Sequence, residues 1–212
     1  LANPDNPMGT FHPKAVIEDM ISNLPADTIL CLDEAYSEFV PKNEFPEIDP
    51  ESPNVIRMRT FSKGYGMAGA RIGYAIASAE LIKSFDKIRN HFGINLLAQR
   101  AALIALEDQE YLSNVIESVN ASKRAITKIA AACGLKAVTS FANFVALDCG
   151  SDTIFAKAVV EGLAEKQIFV RMPFVEPQSR CIRISAGNAI DLERLGDVLP
   201  QVLRDLYSSK NA

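Results

Sequence analysis

Apolar positions along the chain follow two periods. Within residues 13–24 they fall at Val16, Ile17, Met20, Ile21 and Leu24. That spacing is helical, and Pro13 suits the first turn. Residues 28–32 form a short apolar run ending on Asp33-Glu34, which predicts a buried strand with acids at its carboxyl end. Residues 41–53 hold Pro41, Pro46, Pro50 and Pro53 and predict a surface loop. Residues 55–61 and 72–77 read as strands around a glycine-rich loop. Helices are predicted over 79–89 and 98–106, the second Ala/Leu-rich and expected to be buried. Residues 110–133 make a long amphipathic helix that Gly134 stops. A strand follows at 144–148, then a helix at 153–166 and strands at 168–170 and 181–185. The last helix, 192–207, is expected to break near Pro200. Strands alternating with helices in the first half predict an α/β fold with a mainly parallel sheet. The long helix marks the passage to a smaller α+β domain, giving domains 1–108 and 109–212.

Composition narrows the classes. At 212 residues and 48% hydrophobic, the chain can bury a core without disulfides or a metal. Its net charge of −4 argues against broad nucleic-acid binding. The longest unbroken apolar run is six residues, 101–106, far short of a membrane span, and no signal peptide is visible. The four cysteines, Cys31, Cys133, Cys149 and Cys181, form no C-x-x-C pair. They read as buried, reduced thiols of a cytoplasmic protein. The two histidines, His12 and His91, stand apart from any Cys/His cluster. A metal site is therefore not expected, nor a Ser-His-Asp hydrolase.

The glycine loop admits two readings. Gly64-x-Gly66-x-x-Gly69 matches the dinucleotide-binding pattern. That pattern should open a helix, whereas a strand follows here, and the acids farther on, Glu80 and Asp86, fall on a helix. The other reading takes Thr60, Ser62, Lys63 and Arg71 together. Hydroxyls and an arginine fork suit a phosphate. A lysine in a partly dry site can form a Schiff base with an aldehyde. Pyridoxal 5′-phosphate carries both groups. Asp33, at a strand's carboxyl end, is placed to face a pyridine nitrogen. By themselves, Lys63 could be an exposed loop lysine, Asp33 a solvated acid or a helix cap, Tyr36 a packing aromatic and Asn6 a turn residue.

Four ordered motifs carry a family resemblance. Asn3-Pro4-Asp5-Asn6-Pro7-Met8-Gly9-Thr10 resembles the N-P-x-N-P-T-G segment of fold-type I aminotransferases, with Met8 in place of the usual Thr. Asp33-Glu34-Ala35-Tyr36-Ser37-Glu38-Phe39 and the stretch from Arg59 to Tyr74 resemble the histidinol-phosphate aminotransferase branch. So do Ala142-Asn143-Phe144-Val145 and Ile182-Arg183-Ile184-Ser185. The resemblance implies a partial large domain that binds pyridoxal 5′-phosphate plus a small C-terminal domain. It implies that Lys63 carries the internal aldimine and that Asp33 pairs with the pyridinium nitrogen. Asn6 and Tyr36 would bond the ring hydroxylate, and Thr60, Ser62 and Arg71 the phosphate. Arg183 would grip the substrate's acidic group, with Arg171 as a second anion contact; either could instead be a surface ion pair.

The implied reaction moves an amino group from histidinol phosphate or a related donor to a 2-oxo acid such as 2-oxoglutarate, in a homodimer. Aromatic amino-acid transaminases and amino-acid-phosphate decarboxylases share the scaffold. A NAD-binding oxidoreductase and an inactive truncated homologue are the alternatives outside that chemistry. In this family a domain-sized segment precedes Asn3-Pro4, so the 212 residues are expected to be the carboxyl-terminal portion of a longer chain.

Overall fold

The computed structural model describes residues 1–90 and 92–210, so His91 lies outside the described residues. The chain divides into two compact units, one of residues 1–5 and 11–116, the other of residues 6–10 and 117–212.

The first unit is built on a sheet of β1 (Leu30–Asp33), β2 (Val55–Thr60) and β3 (Gly73–Ile76), in that order. β1 and β2 run parallel, from Leu30 opposite Val55 to Asp33 opposite Met58, and β3 joins β2 antiparallel. Ala2 adds a parallel bridge beside Asp33. The Asn3 N–H donates to the Asp33 carbonyl at 2.9 Å, and the Asp33 N–H donates to the Leu1 carbonyl at 2.8 Å. The turn-rich opening thus starts as backbone paired to β1. Side chains alternate along β1: Leu30 and Leu32 turn inward with Val55 onto Ile17 of α1 (Lys14–Ser22). Met20, Ile21 and Leu24 pack around them, as the helical spacing requires. Cys31 sits on the other face of β1 and is exposed, against the expectation of a buried thiol.

Helices α2 (Ala79–Phe85) and α3 (Leu96–Glu107) follow. The Asn95 side chain caps α3 by accepting the Ala98 N–H at 2.8 Å. The expectation that this helix is buried fails. Only Ala98 and Ala102 are buried, one narrow i, i+4 stripe, while Leu97 is 81% and Ile104 68% exposed. α4 (Gln109–Ala132) ends where Gly134 takes φ +74°. There the Leu135 N–H reaches the Ala130 carbonyl at 2.9 Å and the Gly134 N–H the Ala131 carbonyl at 3.1 Å.

The second unit holds an antiparallel sheet of β4 (Lys136–Ala137), β5 (Phe144–Asp148) and β6 (Cys181–Ser185). Val145, Leu147, Ile182 and Ile184 face α5 (Thr153–Glu165) and α6 (Ala189–Lys210) across a core with Ile126, Val159, Leu163 and Leu199. α5 and α6 approach closely. A Cβ on Gly162 would lie 2.7 Å from Val202 Cγ1. α6 runs unbroken through Pro200, because Leu195, Leu199, Val202 and Leu203 bury both of its halves. The strand expected at 168–170 is absent. That stretch pairs with β6 only through Arg171 and Arg183, and Pro173 has no N–H with which to extend the ladder.

Candidate active site

In the first unit the polypeptide gathers polar groups where β1 and β2 end. A cleft of about 320 Å³ is lined by Asp33, Ala35, Met58, Arg59, Thr60, Ser62, Lys63 and Arg71. Asp33 closes β1, and its Oδ1 accepts the Ala35 N–H at 2.9 Å, which fixes the carboxylate at the turn. Glu34, next along, points inward and is 2% exposed. Its carboxylate accepts Arg57 Nε at 3.0 Å, Arg57 Nη2 at 2.9 Å and Arg59 Nε at 2.8 Å. Two arginines one strand period apart therefore lock β2 to the end of β1. Burial works against the Arg59 charge, but Glu34, with Tyr74 and Glu38 behind it, outweighs burial and holds the guanidinium above its ordinary value.

Past β2 the chain turns sharply. The Ser62 N–H donates to Thr60 Oγ1 at 3.1 Å, so the two hydroxyl residues share one turn. Phe61 goes to the interior, 5.0 Å from the Tyr65 ring and 5.6 Å from the Tyr74 ring. That leaves its neighbours toward the cleft. Lys63 is half-buried, and its Nζ lies 5.4 Å from the centroid of the Tyr36 ring. Tyr36 is itself only 7% exposed. Gly66, at φ +69°, lets the loop reverse, and its N–H donates to the Lys63 carbonyl at 3.0 Å. Arg71 holds φ +52°, a left-handed conformation costly for a residue with a Cβ, and its Nη1 donates to the Ala68 carbonyl at 2.8 Å.

The second unit carries the remaining candidates. Asn6, Arg171 and Arg183 line a cleft of about 590 Å³ with Phe174, Val175 and Gln178. Arg183 stands opposite Ala146 on β5, so it shares a face with Phe144. Its guanidinium lies 4.9 Å from the Phe144 ring centroid, and its Nη1 donates to Asn6 Oδ1. Arg183 Nε is buried without a hydrogen-bond partner. Arg171 is exposed and meets Arg183 through the backbone, its N–H donating to the Arg183 carbonyl at 3.1 Å. Asn6 thus belongs to this cluster, while Asp33, Thr60, Ser62, Lys63 and Arg71 share the cleft of the first unit. Arg59 was not singled out from the sequence; the Arg-x-Arg spacing opposite Glu34 is the signal that marks it.

A lysine on a glycine loop lines this cleft with hydroxyls, an arginine and a strand-end carboxylate, groups that can hold a phosphorylated carbonyl compound. The chain belongs to the aminotransferase class I and II family, whose model matches residues 1–199. Within that family it is similar to histidinol-phosphate aminotransferase 2 of Carboxydothermus hydrogenoformans, 33% identical over 97% of this chain and 57% of the relative. Histidinol-phosphate aminotransferase 1 of Cupriavidus pinatubonensis is 36% identical over 88% of this chain and 50% of its own. Among solved structures, the histidinol-phosphate aminotransferase of Sinorhizobium meliloti in complex with pyridoxal 5′-phosphate superimposes with a TM-score of 0.93. It is 47% identical and covers 97% of this chain and 57% of that one. The chain spans about half the length of the curated relatives it matches.

Proposed function

We propose that this chain carries the lysine-bearing part of a pyridoxal 5′-phosphate-dependent aminotransferase. The reaction takes an amino group from histidinol phosphate or a related donor to a 2-oxo acid such as 2-oxoglutarate. The observation that carries the reading is the meeting of Lys63, Asp33, Thr60, Ser62 and Arg71 at one cleft. The donor set fits the cofactor group by group: an amine for the aldehyde, a carboxylate for the pyridine N–H, two hydroxyls and a guanidinium for the phosphate. When bound, the cofactor supplies an electron sink for negative charge at the donor's α-carbon.

The protein's own groups do the rest. Asp33 would pair with the ring nitrogen, and its bond from the Ala35 N–H holds the carboxylate in place. Lys63 Nζ would hold the cofactor's aldehyde carbon and, when free, would serve as the base that moves the donor's α-proton. Tyr36 and Asn6 would each bond the ring hydroxyl. Arg183, stacked on Phe144, takes the donor's phosphate or carboxylate, and Arg171 is a second anion contact. We place the protein as a homodimer. The first unit leaves Ile88, Phe92, Leu97 and Ile104 at 84, 95, 81 and 68% exposure, apolar surface of the kind that partners cover.

The test is Lys63→Ala in the cofactor-loaded protein. Transamination should fall about a thousandfold or more, and borohydride should no longer fix the cofactor to the protein. A variant that transaminates at the wild-type rate sinks the assignment. Histidinol phosphate assayed against aromatic and acidic amino acids then decides the donor.

A further inference from the structure

One carboxyl of the first unit has no part in that scheme. Glu38 sits on the 3-10 turn Ser37–Phe39, two residues past Tyr36. Its Oε1 lies 3.4 Å from Ser37 Oγ, and its Oε2 is buried without a hydrogen-bond partner. A Cβ built on Gly64 would fall 3.1 Å from Glu38 Cβ and 3.2 Å from Glu38 Cγ, with Leu112 Cδ1 at 3.1 Å. The Glu38 stem therefore packs on the α-carbon of the residue that follows Lys63. One short turn supports the lysine loop at two successive points, Tyr36 beneath the amine and Glu38 beneath Gly64.

We propose that Glu38 is a positioning residue: its stem, wedged against Gly64, fixes the loop so that the Lys63 amine stays over the Tyr36 ring. The inference rests on the functional reading above. A plain aliphatic residue could fill the same space, so the unbonded oxygen needs a reason. Arg59 from β2, Tyr74 from β3, Tyr65 from the loop and Glu34 from the preceding turn face this carboxyl. Burial pushes the Glu38 carboxyl up, against the pull of its own backbone N–H and of Arg59. Arg59 is already bound to Glu34 at 2.8 Å. That ion pair takes the guanidinium facing Glu38 and leaves Oε2 unbonded, so Glu38 meets the loop through its stem.

The experiment follows the pH titration of the visible absorbance of the lysine-bound cofactor, together with kcat and the donor KM. Without the wedge, the charged lysine nitrogen loses the Tyr36 ring, and the midpoint in Glu38→Ala should fall by about half a unit to one unit. kcat should fall about tenfold with the donor KM unchanged. Glu38→Gln, which keeps the stem, should keep the wild-type midpoint. An unmoved midpoint in Glu38→Ala overturns the inference, and so does a Glu38→Gln midpoint shifted as far as that of Glu38→Ala. If Glu38→Ala does not fold, Gly64→Ala presses the same contact from the other side and should lower the midpoint; a wild-type midpoint there overturns the inference. A wild-type protein with no such absorbance overturns the functional reading and this inference together. A normal wild-type titration with unmoved variants overturns this inference alone.

Discussion

Gly73 faces Thr60 across the β2–β3 pair, and a Cβ there would lie 2.5 Å from the Arg59 carbonyl oxygen. Backbone cannot swing aside as a side-chain tip can, so the glycine is needed for the strand to close on Thr60. Gly73→Ala should cost about 1–3 kcal/mol, read as a lower urea midpoint, and, on the proposed function, should weaken cofactor uptake by displacing Thr60. Gly69 is the matched control. Nothing lies within 4 Å of a Cβ at that position, so Gly69→Ala should stay within about 0.5 kcal/mol of the parent. Arg71 shows the opposite use of backbone. It is not glycine, yet it accepts φ +52°. Such strain persists where surroundings over-determine a conformation, and it gathers at functional sites.

Elements explain which features could be read ahead of the structure. β5 and β6 coincide with their apolar runs, because consecutive buried residues leave little room for another register. α4 stops where Gly134 can adopt the left-handed cap. The grouping of Thr60, Ser62, Lys63 and Arg71 at the first cleft was legible because they lie within one turn and loop of the sequence. The rest depended on long-range neighbours. β4 has two residues, too few for a period to register. Leu97 and Ile104 say only that α3 is apolar, whereas exposure depends on what packs against it. That Glu34 would bind Arg57 and Arg59 required the parallel register of β1 and β2. Asp148 illustrates an interaction that binds elements and responds to pH. Arg180, in the turn before β6, donates to Asp148 at the end of β5, with Nε at 3.1 Å, and lowers the aspartate's pKa. A depressed carboxyl contributes stability above the unfolded value, and that stability is lost as pH falls through the folded one. Asp148→Asn should therefore flatten the fall of the urea midpoint between about pH 5 and pH 2, without changing activity at neutral pH.

At the scale of the whole molecule, the two units do not follow the order of the chain. Residues 6–10 belong to the second unit, although the first unit's residues lie on both sides of them. Their fit is close. Gly9 at φ +74° would place a Cβ 2.3 Å from Ser140 Oγ, and the Phe141 N–H donates to the Gly9 carbonyl at 2.8 Å. Asn6 adds its bond from Arg183. The C-terminal unit therefore borrows a strip of chain made long before it, and a cut at residue 117 would strip it away. A fragment of residues 117–212 should be poorly stable alone and should be complemented in trans by a synthetic peptide of residues 1–12. Titration of that peptide should raise the fragment's urea midpoint, and a Gly9→Val peptide should fail to do so.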